Sequence, residues 1–138
     1  MKCISLFMSI VFIGIGLAYG QTSPYKVVFD LTSRDSLDQK AVIRWVREIS
    51  ASYPRAELEV VMYGNGLELV IPEKSAVIED VRDAMKRPNV SFKVCRAAMR
   101  NNKIDESQLA KGAQIVPDAI FEIVSKQHDG WGYIKVGH

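Results

Sequence analysis

The chain has 138 residues, 48% hydrophobic and 25% charged, with 18 Lys and Arg against 16 Asp and Glu. That is the composition of one ordinary globular domain, and it argues against a multidomain chain or an acidic disordered tail. A net charge of +2 dispersed along the sequence supplies no basic stripe, so nucleic acid is not an expected partner.

Lys2 precedes an apolar stretch from Ile4 to Ala18, which passes through Ala18-Tyr19-Gly20 into polar Gln21-Thr22-Ser23-Pro24. This positive, apolar, small-residue order is that of a secretory signal. The stretch contains Ser5, Ser9, Gly14 and Gly16 and falls short of the roughly 20 apolar residues of a spanning helix. Cys3 lies before the apolar stretch, where a lipoprotein signal would have its cysteine after it. Residues 1–20 are therefore expected to be a cleaved signal peptide and residues 21–138 a single α/β domain. The mature protein is expected to be periplasmic or secreted, with no membrane attachment.

Lys26 to Leu31 (KVVFDL) reads as a buried first strand closed by polar Thr32-Ser33-Arg34-Asp35. Leu37, Ala41, Val42, Trp45, Val46 and Ile49 then recur at helical spacing, and Pro54 marks the end of that helix. Leu58 to Tyr63 is a second strand, followed by Gly64-Asn65-Gly66 and another apolar stretch, Leu67 to Ile71. The Gly-Asn-Gly segment fits a tight hairpin turn, its expected form, or an open loop whose N–H groups approach a ligand.

Val77, Ile78, Val81, Ala84 and Met85 place a helix over 75–86, broken at Arg87-Pro88-Asn89. Val90 to Val94 alternates apolar and polar residues, as a strand near a sheet edge or subunit contact would. Arg96 to Asn102 continues as a short helix, Asp105 to Ala110 as another turn, and Ile115-Val116 as a brief extended piece. Pro117 suits a first helical position, with Ile120, Ile123 and Val124 as the buried stripe, and Trp131 to Val136 forms a last strand. This alternation predicts a three-layer α/β sandwich, a largely parallel sheet with helices on both faces.

Once residues 1–20 are removed, Cys95 is the one remaining cysteine. Such a thiol in an oxidising compartment is buried and inert, paired between chains, or kept for reaction. Neither a zinc site nor a disulfide framework fits two cysteines placed at positions 3 and 95, and no Cys-x-x-Cys occurs, so no metal is expected. Cys95 stands where a strand runs into a helix, the position at which open parallel sheets collect ligands. The helix N-terminus, with Arg96 and Arg100 within one turn, would favour the nucleophilic thiolate. Against this, free cysteines are among the most buried residues and often only fill a core gap. His128 beside Asp129 is a weak partner for a cysteine-histidine pair and reads better as a helix-end cap. Trp45, Trp131 and Tyr133 read as core or interface aromatics.

Four segments, KVVFDLTS at 26–33, VVMYGNGLELVI at 60–71, VSFKVCRAAMRNNKIDES at 90–107 and IVPDAIFEIVSKQHDGWGYIKV at 115–136, together resemble the DsrE/DsrF-like sulfur-relay family, in its small, sometimes exported, single-domain branch. The resemblance implies an α/β sandwich, assembly into trimers or hexamers, and sulfur carried as a persulfide on the cysteine that Cys95 matches, between donor and acceptor proteins. One thiol suffices for that chemistry and no cofactor is needed. Arg96 and Arg100 would then be its electrostatic support, and the Gly64, Asn65, Gly66 loop its neighbour. The competing reading is a non-catalytic oligomeric module that binds a small ligand or a protein tail, with Cys95 structural.

Overall fold

An apolar run interrupted by one acid, as in KVVFDL, suits a strand covered on both faces. In the computed structural model, which describes residues 24–137, it forms β1 (Lys26–Leu31), buried from Val27 onward. The helix α1 (Ser36–Ser52) starts where Asp35 caps it, its carboxylate accepting from the Leu37 N–H at 2.7 Å. The rest of the chain is β2 (Glu57–Met62), a 3₁₀ segment (Gly64–Val70), α2 (Ile78–Met85), β3 (Val90–Cys95), α3 (Arg96–Asn101), a 3₁₀ turn (Glu106–Gln108), β4 (Gln114–Val116), α4 (Ala119–His128) and β5 (Gly132–Val136). The expected leader at residues 1–20 lies outside the described residues.

All four strand pairings are parallel and the order across the sheet is β4-β3-β2-β1-β5. From β1 to β4 each crossover steps in one direction, and the last returns across the sheet to place β5 beside β1. Right-handed connections put those two kinds of crossover on opposite faces. Contacts agree with this. Phe29 stacks on Trp45 of α1 with ring centroids 6.2 Å apart, whereas Glu59 meets Lys126 of α4 at 3.1 Å. Phe29 pairs in register with Val60, so Glu59 points to the other face. The expected α/β sandwich with helices on both faces is the one observed. Its core is built from Phe29, Leu31, Leu58, Met62, Phe92 and their neighbours.

Several local expectations are corrected. Gly64-Asn65-Gly66 is no hairpin turn: Leu67, Leu69 and Val70 belong to a buried 3₁₀ segment that leads toward α2, because the next strand is parallel and needs a crossover. β3 does lie near an edge, as expected, between β2 and the three-residue edge strand β4; β5 forms the other edge. The helix placed over 75–86 begins at Ile78, and that placed from Pro117 begins at Ala119, with Asp118 capping it through bonds from the Ile120 and Phe121 N–H groups at 2.8 and 3.2 Å. On α4 the buried residues are Ala119 and Ile123, while Ile120 and Val124 are 54% and 55% exposed. Trp131 precedes β5.

The 3₁₀ segment is pressed onto the end of β1. A Cβ on Gly66 would sit 2.1 Å from the Leu31 carbonyl oxygen and 2.7 Å from its carbon, both backbone atoms with nowhere to go. Gly66→Ala is therefore expected to cost about 3 kcal/mol, the upper end for forced overpacking, read as a lower midpoint in urea unfolding. A midpoint equal to wild type would show that the two segments separate freely.

Candidate functional site

In an open parallel sheet a crevice forms where neighbouring strands send their outgoing chains to opposite faces. Here β3 leads into a crossover that continues in the β1-to-β4 direction, while β4 leads into α4 on the other face, so the switch point falls between them. The last register pair there is Cys95 with Val116. Cys95 closes β3 and is the N-cap residue of α3, yet its side chain makes no capping bond. Cys95 is buried, 6% exposed as a residue, and its thiol forms no disulfide.

Arg96 and Arg100, the expected cationic support, lie on α3 with exposed side chains. Gly64 and Asn65 are exposed and Gly66 buried at the end of β2, the strand next to β3. Gly64 adopts φ +56°, a left-handed turn that suits glycine. Asn102, after α3, donates to the Ala98 carbonyl at 2.8 Å and to the Gly64 carbonyl at 3.4 Å, which ties this loop to the helix that Cys95 opens. His128 is at the other end of the molecule: α4 runs back toward the start of the sheet and ends there, so the cysteine-histidine pair does not form.

A second group of residues, not anticipated from the sequence, shares the face of the sheet that carries Cys95. Asp30, 4% exposed, is aligned with Val61 of β2 and Lys135 of β5. Its carboxylate accepts from the Tyr133 hydroxyl at 2.6 Å and from the Tyr63 hydroxyl at 3.4 Å, and it pairs with the Lys135 ammonium at 3.1 Å. Lys135 also donates to the Thr32 hydroxyl at 2.9 Å and stands 5.7 Å from the centre of the Tyr63 ring. The register of β2 and β3 ends at Met62 with Val94, and the Tyr63 N–H continues the ladder by donating to the Leu31 carbonyl at 3.2 Å. One step further along, Tyr63 and Cys95 stand side by side on one face, on strands about 4.8 Å apart. Tyr133, read from sequence as a packing aromatic, is thus a hydrogen-bond donor. Trp45 does pack in the core, and Trp131 lies under the Lys126 ammonium at 4.4 Å.

Further down the same face Glu59, 1% exposed, accepts from the Ser91 hydroxyl at 3.1 Å and pairs with Lys126 at 3.1 Å, while its Oε1 finds no partner. Burial pushes the Glu59 carboxyl up, Glu122 adds to the rise, and Lys126 opposes it. Tyr63 is also pushed up, first by burial, then by the Asp30 charge and the bond to it, and last by the charge of Cys95 as a thiolate. Tyr133 is pushed up to about 12, chiefly by its hydrogen bond to Asp30 and then by burial. A sequence signal for this group did exist: Asp30 and Glu59 are the acids inside otherwise apolar strands, and Tyr133 and Lys135 alternate on β5.

The model of the DsrE/DsrF-like family matches residues 8–136. Among solved structures the chain is similar to MTH1491 of Methanobacterium thermoautotrophicum, a protein of unknown function, at 29% identity and a TM-score of 0.75, covering 80% of this chain and 98% of that one. The fold is shared with BT1422 of Bacteroides thetaiotaomicron, also of unknown function, at 11% identity and TM-score 0.66 over 81% of this chain and 95% of the other. It is shared too with ychN of E. coli, at 13% identity and TM-score 0.65 over 81% and 98%. Among curated proteins nothing matches.

The Tyr133 phenol gains its partner only on folding, which raises its proton affinity above the ordinary value of about 10. The stability from this bond is complete below that value and is lost as the pH rises through about 12. Spectrophotometric titration is expected to show one tyrosine ionising near the upper value, and Asp30→Asn should bring it back toward the ordinary one. An unchanged curve would separate Tyr133 from Asp30.

Proposed function

The chain belongs to the DsrE/DsrF-like family, and from that premise we propose that it is a sulfur carrier, holding sulfane sulfur as a persulfide on Cys95 and passing it between a donor and an acceptor protein outside the cytoplasm. The observation that carries this reading is the place of Cys95, a free thiol at the switch point of a parallel sheet with its sulfur uncommitted to any cap. The chemistry is thiol exchange. A Cys95 thiolate attacks the sulfane sulfur of a donor, the donor's sulfur–sulfur bond breaks with its leaving group taking the electron pair, and Cys95–S–S⁻ remains. An acceptor thiolate then attacks the outer sulfur and restores the Cys95 thiolate. Sulfur keeps its oxidation level through the cycle, so neither step calls on a redox cofactor. Arg96 and Arg100, exposed on α3, offer positive charge to an anionic donor at the rim of the site.

The signal-like leader supports a site of action in the periplasm or beyond it, and there the donor and acceptor are proteins that meet the Cys95 end of the sheet. Self-association into a trimer or hexamer belongs to the same reading. Its support is α4, where Ile120, Phe121 and Val124 are 54%, 72% and 55% exposed on the helix that covers the Cys95 face. The low exposure of Cys95 favours one rival, a ligand- or peptide-binding module of the same fold in which the sulfur only packs.

Intact mass of the exported protein after treatment with inorganic polysulfide separates the two. The carrier reading expects a chain beginning at Gln21 that gains sulfur at Cys95, loses it to dithiothreitol, and gains none as Cys95→Ser. A folded wild-type protein that takes up no sulfur leaves the binding module. For assembly, light scattering at micromolar concentration is expected to give a trimer or hexamer that Phe121→Asp reduces to monomer with little change in melting temperature; a wild-type monomer would reject self-association.

A further inference from the structure

The group around Asp30 is more elaborate than the fold requires. A buried carboxylate needs compensation, and Asp30 has it from the Tyr133 hydroxyl at 2.6 Å and the Lys135 ammonium at 3.1 Å, both from β5. Tyr63 adds only a long bond, 3.4 Å, to the oxygen that Tyr133 already occupies. Giving it up would leave Asp30 satisfied. Lys135 stands against the Tyr63 ring from the Asp30 side, its ammonium 5.7 Å from the ring centre, and a hydroxyl hydrogen can rotate about its C–O bond to meet another acceptor. The neighbour on the opposite side, one strand over and on the same face, is Cys95.

We propose that Tyr63 is a positioning residue for sulfane sulfur: its phenolic O–H rests on Asp30 in the sulfur-free protein and turns to donate to the outer sulfur once Cys95 carries a persulfide. This rests on the carrier reading and extends it from the nucleophile to the group that holds the cargo. A persulfide places its negative charge one sulfur further from the backbone than the thiolate does, out toward a side chain anchored on the adjacent strand. A donor there stabilises Cys95–S–S⁻ and fixes the outer sulfur for attack by the acceptor. No proton changes owner. Burial and the Asp30 charge hold the Tyr63 phenol above its ordinary range, so it stays protonated, and therefore a donor, throughout the neutral range. Asp30, Tyr133 and Lys135 then act as its resting place and keep it from collapsing into the core.

The test uses the full chain as exported, loaded with inorganic polysulfide and freed of excess reagent. The rate at which iodoacetamide caps the outer sulfur is followed by mass against pH, for wild type, Tyr63→Phe and Tyr63→His. Loss of one hydrogen bond to an ionised group is expected to raise the midpoint of the Tyr63→Phe profile by about one pH unit, tenfold in ionisation. Tyr63→His, which restores a donor, should recover most of the shift whatever happens to its melting temperature. Coincident profiles for loaded wild type and Tyr63→Phe would overturn this role while leaving the carrier intact, as would a shift that histidine does not recover. A wild-type chain that never loads would instead defeat the carrier reading itself.

Discussion

A carboxylate removed from water in the middle of a strand has to be answered by donors, and the donors of Asp30 dictate much of how this sheet closes. They come from β5, the last strand to join, and from the residue that follows β2. Tyr133 and Lys135 thereby lock the C-terminal strand in register against β1. A slip of one residue would turn both away from Asp30 and leave a buried charge alone, which costs far more than the pair itself contributes. Placing an ion pair here thus works less as glue than as a specification of which strand lies beside β1, and in which alignment.

The two faces of the sheet differ accordingly. Under α1, Phe29 and Trp45 meet in apolar contact. Under α4, successive levels carry Glu59 with Ser91 and Lys126, then Asp30 with Lys135 and the tyrosines, then Thr32, Tyr63 and Cys95. The ten residues of α4 cover this polar side, where Asp30 and Glu59 are buried while Tyr133 is 42% exposed.

Strand and helix periodicity made the order of elements and the layered architecture legible, because apolar runs such as KVVFDL and ELEVVM have few other ways to be buried. The end of β3 at Cys95 was legible for the same reason. Where the reading went astray, long-range packing decided. Gly64-Asn65-Gly66 looks like a hairpin until one knows that the next strand runs parallel, and Gly66 is needed for contact with Leu31, which is distant in sequence. The wide apolar stripe of α4 suggested that Ile120 and Val124 were core, but a short helix on a polar sheet face buries only Ala119 and Ile123. The Asp30 cluster joins residues more than 100 positions apart, and local pattern contains no measure of such pairing.

A sheet whose strands all run the same way has two unlike ends. Tyr25, packed at a tilt against Tyr53 with ring centroids 4.7 Å apart, marks the end where β1 enters, and the thiol marks the end where β3 leaves. A chain tethered through its amino-terminal side to a bead, a membrane or a fusion partner would accordingly carry the Cys95 end of the sheet on the side away from the attachment.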